Sequence, residues 1–346
     1  MAIHLVQIGN GSSRRVALVE EPYLRCLAGI NSVYELAHRC IAGGSRLSEQ
    51  VPMLAHGDTL GYDAVYARSS EWRLLSPIDV PGETSRLTIA GTGLTHLGSA
   101  KERQAMHVAG EDKAAQTAHK DNEIVTDSMR MFQWGVEGGR PAQGKIGIAP
   151  EWFYKGNGTL LREPFAPLTV PSYAEDGGEE AEIAGIYIIG EDGMPYRIGM
   201  AAGNEFSDHQ FEKRNYLNLA GSKLRACSIG PELVVDAEFQ SVAGEVRIVR
   251  GTKTIWSKAV ETGEMNMCHS LANLEHHHFK FEGHRQPSEV HVHFFGAHSL
   301  SFGDGVVLRD GDWMEVQYEG FGRALRNPIH IEAKEANRLI AARSLA

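Results

Sequence analysis

The stretch EAEIAGIYIIGEDGMPYRIGMAAGNE, running from Glu180 to Glu205, decides how this chain is read. Two strand-like runs, 183–189 and 196–200, flank Asp192-Gly193, and an Asp-Gly pair in that setting signals a two-residue β-hairpin turn. Residues i and i+2 of a strand share a face, so Glu180 and Glu182 point the same way. Counting outward from Asp192 and Gly193 sets Glu180 opposite Glu205. Carboxylates gathered on one face repel unless a cation or protons intervene, and an all-oxygen donor set favours a hard ion such as Mg²⁺, Mn²⁺ or Ca²⁺. The alternative is a solvated acidic strand end, since Glu175 and Glu179 are also near and a one-residue bulge would break the alignment.

Working outward, 346 residues allow about two domains with ample core. The 38 glycines exceed the usual share, which implies many turns and a β-rich architecture. A formal charge of −10 argues against nucleic acid or an anionic membrane as partner, and no basic run contradicts it. An anionic substrate then needs a local cation. No secretion-type leader and no run of eighteen apolar residues is present, so the expectation is a cytoplasmic protein. Cys26, Cys40, Cys227 and Cys268 lack C-x-x-C spacing, which points to reduced thiols rather than a zinc knuckle or a disulfide framework.

Residues 1–75 alternate short strand-like runs with a helical stretch near 32–41 and read as a small α/β domain, leaving 76–346 as the main domain. Gly9-Asn-Gly11 is followed by Arg14 where a dinucleotide fingerprint needs its third glycine, so a strand-ending turn is the better reading. The segment 99–134 is rich in Ala, Glu, Lys, Gln and Met and should be mostly helical. Beyond Lys145, β-branched runs separated by Gly and Pro suggest a β-roll or compact barrel. His276-His-His278 is internal and belongs to the fold. His291-Val-His293 has cupin-like strand spacing but lacks the glutamate a cupin site needs further on. Consecutive Ser207-Asp208-His209 point apart and cannot form a triad by themselves.

Seven pieces in order resemble the fumarylacetoacetate hydrolase superfamily over roughly residues 70–330. They are Leu75-Ser-Pro-Ile78, Gly91-Thr-Gly93-Leu-Thr95, Pro150-Glu-Trp-Phe153-Tyr-Lys155, the Glu180-Ala-Glu182 pair, Asn204-Glu205-Phe-Ser207, the segment Lys223 to Pro231, and the closing Gly311-Asp312, Gly320-Phe-Gly322 and Asn327-Pro328. The resemblance implies an α+β fold. Its parts would be a mixed β-roll/β-sandwich catalytic domain, a small α/β amino-terminal domain, and a helical lid at about 96–134. It also implies Mg²⁺, replaceable by Mn²⁺, held by Glu180, Glu182 and Glu205, a small-molecule 2-oxo acid as substrate, and a homodimer or higher homo-oligomer. Glu205 departs from the family's usual aspartate, and His209-Gln210 stand where many members carry Arg-Asp.

The resemblance also bears on reaction type. The lid motif of the family's acylpyruvate hydrolases, laid from Gly93, places Ser99 where their water-activating histidine stands and Glu102 at its partner. Serine cannot abstract a proton at neutral pH, so hydrolysis is weakened. The sugar-acid dehydratases of the family are a better match, with serine at the Ser99 position, glutamate at Glu151 and a lysine at Lys223. The resemblance thus implies dehydration of a 2-keto-3-deoxy-pentonate to 2,5-dioxopentanoate, with Glu151 and Lys223 as the acid–base pair and Ser99 and Glu102 beside them. Lys155, Asn204, Gly296, His298 and Ser299 are the expected substrate contacts. Cleavage of acylpyruvates or 2,4-diketo acids, and metal-dependent sugar-acid binding without turnover, are the alternatives.

Overall fold

The computed structural model describes residues 2–110, 126–334 and 337–345, with the side chains of 102 and 106–110 outside that description. The chain opens with β1 (Ile3–Asn10) and β2 (Ser13–Glu20), then α1 (Val33–Gly43). Ser32 starts α1, its hydroxyl accepting from Glu35 N at 3.1 Å, and Gly44 at φ 61° ends it. Val33, Leu36, Ala37 and Cys40 recur at helical spacing, so one stripe is buried against the sheet. Each large aliphatic side chain there contributes about 1.5–3 kcal/mol.

The central part runs through β3 (Leu87–Gly93), α2 (Leu97–Gly110), α3 (Asp127–Gly138), β4 (Glu151–Asn157), β5 (Ala181–Ile189) and β6 (Pro195–Asn204). It continues with the short helices α4 (His209–Arg214) and α5 (Leu219–Lys223) and with β7 (Leu233–Val235). After these come β8 (Val242–Arg250), β9 (Lys253–Thr262), α6 (Leu271–Phe279), β10 (Val290–Phe294), β11 (Trp313–Tyr318) and β12 (Leu325–Ile331). Helices α2 and α3 occupy the segment expected to be helical. Residues 111–125 between them lie outside the described residues.

One mixed sheet carries the order β2-β1-β7-β6-β5-β10-β3-β4, with β10 and β3 parallel, and a second carries β9-β8-β11-β12. Strand β5 is buried along its whole length because both of its faces are covered. Ala184, Ile186 and Ile188 pack beneath α1, whereas Ala181 and Ile183 face Val246 and Val316 of the second sheet. Strands on both sides of residue 75 belong to this one sheet, since β1 pairs with β7 through Ile3–Val235 and Leu5–Leu233. One face of the amino-terminal strands has its own core of Val6, Ile8, Leu24 and Trp72. The other, with Leu5 and Val16, shares the main core.

The β5–β6 hairpin departs from the expected two-residue turn in two places. The loop has three residues, Glu191 to Gly193, closed by Gly190 N to Met194 O at 2.9 Å, with Gly193 at φ 74°. Further along, Ile186 pairs with Gly199 and Tyr187 with Arg197, leaving Ile198 as an extra residue in a bulge. The longer loop shifts the register by one and the bulge shifts it back. Ala181 therefore pairs with Asn204, and Glu180 stands opposite Glu205 after all.

Candidate active site

Beyond the paired ends of β5 and β6, Glu205 N donates to Glu180 O at 2.9 Å and Gly178 bridges Ser207. Glu180 and Glu182 share the face of Ala184 and Ile186. Because the Ile198 bulge exchanges the faces of β6, Glu205 shares the face of Ala201 and joins them. Each of the three offers a carboxylate oxygen within 4.8 Å of the others, and all are buried.

Two lysines compensate part of this charge. The Lys223 ammonium pairs with Glu180, donates to Glu205 Oε2 at 2.8 Å and Ser207 Oγ at 3.1 Å, and lies 5.0 Å from the Phe153 ring centroid. Lys155 pairs with the other oxygen of Glu205 and donates to Phe206 O at 2.7 Å and Lys223 O at 2.9 Å. Burial works to raise the Glu180 carboxyl, but Lys223 and the His209 ring 3.3 Å away hold it well below the usual range. Burial disfavours a charged His209, yet the bond to Glu180 lifts it to about 9. Glu182 accepts from Gly296 N at 2.6 Å, and burial together with Glu205 and Glu180 pushes it well above the carboxylate range. Oxygen-only donors, full burial and one carboxylate without a cationic partner among the described residues fit a hard divalent ion.

Glu151 stands at the start of β4, opposite Gly93 of β3. A Cβ on Gly93 would lie 3.0 Å from its carboxyl atoms, so glycine leaves the room Glu151 uses. The Arg103 guanidinium of α2 meets both Glu151 oxygens at 2.7 and 2.8 Å, and its Nε lies 2.8 Å from Glu212 of α4. Burial raises the Glu151 pKa, Glu212 adds to that, and Arg103 and Lys223 oppose it.

The other expected residues divide. Gly296 reaches the glutamates through its N–H. It is held at φ 101° with Thr95 Oγ1 where a Cβ would sit, 2.1 Å away. Ser299 is buried and bonds the half-buried His298 at 2.8 Å. Ser99 donates to His96 O at 3.0 Å in the first turn of α2, and the Glu102 side chain lies outside the described residues. Lys155 is fully buried, and its three donors are taken by backbone carbonyls and Glu205. Asn204 accepts from Glu180 N at 3.3 Å. One residue from Glu205, it points through the opposite face of the sheet to Met314 Sδ at 3.6 Å. His96, beside Ser99, bonds Thr95 Oγ1 at 2.9 Å and Thr262 Oγ1 at 3.0 Å, and burial lowers it to about 3.

His278, His291 and His293 form a separate buried cluster, with His278 stacked on His293 at 4.5 Å and bonded to His291 at 2.9 Å. Sequence reasoning missed Arg103, Glu212 and the contact of His209 with Glu180. Arg103 had a usable signal, because it lies four residues beyond Ser99 and so shares its helix face.

Solved structures with a similar fold include a hexagonal crystal form of 2-keto-3-deoxyarabinonate dehydratase, with a TM-score of 0.68 at 16% identity over 96% of this chain and 100% of that one. Another is 2-keto-3-deoxy-D-arabinonate dehydratase complexed with magnesium and 2,5-dioxopentanoate, at 0.67 and 17% identity over 96% and 100% of the two chains. A third is fumarylacetoacetate hydrolase from psychrophilic Exiguobacterium antarcticum, at 0.57 and 17% identity over 95% and 100%. The chain thus has the fold of the fumarylacetoacetate hydrolase superfamily. No protein-family model matches it, and neither does any curated protein sequence.

Proposed function

We propose that this protein is a divalent-metal-dependent hydro-lyase that converts a 2-keto-3-deoxy-pentonate to 2,5-dioxopentanoate. The observation that carries this reading is the buried set Glu180, Glu182 and Glu205 with Lys223 bonded to two of them, Glu151 being close enough to feel the charge of Lys223 and His96 being bound through both ring nitrogens. Glu180, Glu182 and Glu205 would hold Mg²⁺, with Mn²⁺ as a substitute. When bound, the ion supplies positive charge to the carboxylate and keto oxygens of a 2-oxo acid and makes the C3 protons acidic. The magnesium and 2,5-dioxopentanoate in a structure of the same fold support the choice of ion and product class.

Glu151 takes a C3 proton, its burial having raised its basicity above that of an exposed carboxylate. Lys223 is the acid. Burial would lower its pKa, but Glu180 and Glu205 raise it, so it stays an ammonium that can give a proton to the departing C4 hydroxyl. Water leaves, and the resulting unsaturated 5-hydroxy acid tautomerises to the aldehyde at C5. A hydrolase would need a base to activate water, and the bonded, low-pKa His96 does not serve. The test is EDTA-treated protein assayed with both C4 configurations of 2-keto-3-deoxy-pentonate, coupled to an aldehyde dehydrogenase and NAD(P)⁺. Aldehyde formation restored by Mg²⁺ supports the reading. Rapid cleavage of a 2,4-diketo acid with both deoxypentonates untouched makes the protein a hydrolase, and tight binding without any product makes it a binder.

A further inference from the structure

Arg103 is a buried cation on α2 whose partners lie on two other elements. Its guanidinium closes on both oxygens of Glu151 of β4 at 2.7 and 2.8 Å, and its Nε lies 2.8 Å from Glu212 of α4. All three side chains are at least nine-tenths shielded from solvent. One nitrogen, Nη1, makes both contacts to Glu151 while Nε faces Glu212, so a single rigid, planar guanidinium fixes the two carboxylates relative to each other, which an ammonium does not. Glu212 is itself anchored, accepting from Ser222 Oγ on α5 at 3.4 Å, next to Lys223. Glu151 packs closely over Gly93, where a Cβ would lie 3.0 Å from its carboxyl atoms.

We propose that Arg103 is the positioning residue of the catalytic carboxylate: its guanidinium, holding both Glu151 oxygens through Nη1 and braced through Nε by Glu212, orients Glu151 toward the substrate's C3 and sets how readily Glu151 takes a proton. This rests on the reading of Glu151 as the base. The charged and titratable groups around Glu151 are Arg103 from α2, Glu212 from α4, Lys223 from α5, and Tyr216 between the last two. One guanidinium is shared by two buried carboxylates. Weakening the guanidinium and removing the competing carboxylate must therefore move Glu151 in opposite directions. A brace that merely holds α2 in place shares that opposition but predicts no selective loss of kcat at unchanged KM.

The experiment uses the full chain with Arg103→Lys and Glu212→Gln, because Arg103→Ala leaves two buried carboxylates without a cation and risks unfolding. In ¹³C-glutamate NMR, with the Glu151 resonance assigned by its loss in Glu151→Gln, Arg103→Lys should raise the Glu151 pKa and Glu212→Gln should lower it. The acid limb of kcat against pH should follow, to higher pH in the first variant and lower pH in the second. For Arg103→Lys, kcat should fall about 10- to 100-fold with KM nearly unchanged. Mn²⁺ affinity should not change in either variant. Shifts in the same direction, no shift, or a loss confined to KM overturn the proposal. A fully active Glu151→Gln overturns the reading of Glu151 instead, while the NMR titration still tests the coupling.

Discussion

Glu180 and Glu205 face each other across the end of a hairpin, joined by Glu205 N donating to Glu180 O at 2.9 Å and by one Lys223 ammonium that reaches both carboxylates. Among the described residues Glu182, on the same face, has no such ammonium. The three carboxylates are therefore unequal: Lys223 and His209 hold Glu180 well below the usual carboxylate range against its burial, burial raises Glu205 against its two lysines, and burial with Glu205 and Glu180 pushes Glu182 well above that range.

That inequality predicts opposite effects of one substitution. Glu182→Gln removes a carboxyl that burial, with Glu205 and Glu180, pushes well above its ordinary pKa, so the metal-free protein should gain about 1–2 kcal/mol at pH 7. The same variant should lose about 100-fold or more in Mn²⁺ affinity. Urea denaturation and calorimetric Mn²⁺ titration read the two effects. A destabilised variant that still binds the ion tightly would remove Glu182 from the ligand set.

Lys155 and Lys223 should separate cleanly. Lys155→Met leaves Glu205 buried beside one missing cation and should cost about 3–5 kcal/mol in urea denaturation. Lys223→Gln should abolish turnover while the ion still binds, since the ion takes over the charge that Lys223 balances. An active Lys223→Gln would place the acid elsewhere.

The buried histidines give the protein an acid-sensitive stability. Burial lowers His96, His291 and His293 to about 3, whereas each takes a proton near 6.5 once the chain unfolds. This contribution is fully present above pH 6.5 and is lost as pH falls toward 3, at about 1.4 kcal/mol per pH unit per histidine. Buried glutamates with raised pKa, Glu182 and Glu151 among them, act in the opposite sense. The histidine part is therefore read as a difference. Between pH 6 and 4 the wild type should lose about 1.4 kcal/mol per unit more than His293→Gln, and parallel pH profiles would refute the assignment.

Much of the site was legible because a strand's period of two is rigid: Glu180 and Glu182 had to share a face. The pairing of Glu180 with Glu205 was reached through a turn that the structure does not contain. The three-residue loop and the Ile198 bulge offset each other, and local sequence gives no count of such compensation. The same period sets Asn204, next to Glu205, toward the other sheet. The partners of Lys155 were not legible because they include main-chain carbonyls of Phe206 and Lys223, which side-chain patterns do not reveal. Arg103 and Glu212 lie on helices far apart in sequence, and only packing of α2 against α4 brings them to Glu151.

The most direct test of the central claim is a proton NMR time course in one tube containing the protein, Mg²⁺, a 2-keto-3-deoxy-pentonate and an acylpyruvate. The account predicts loss of the deoxypentonate C3 and C4 signals, appearance of the hydrated aldehyde of 2,5-dioxopentanoate, and no pyruvate methyl signal. It also predicts that Glu151→Gln stops the reaction while Mn²⁺ binding persists. Pyruvate growing from the acylpyruvate while both configurations of the deoxypentonate stay unchanged would contradict it.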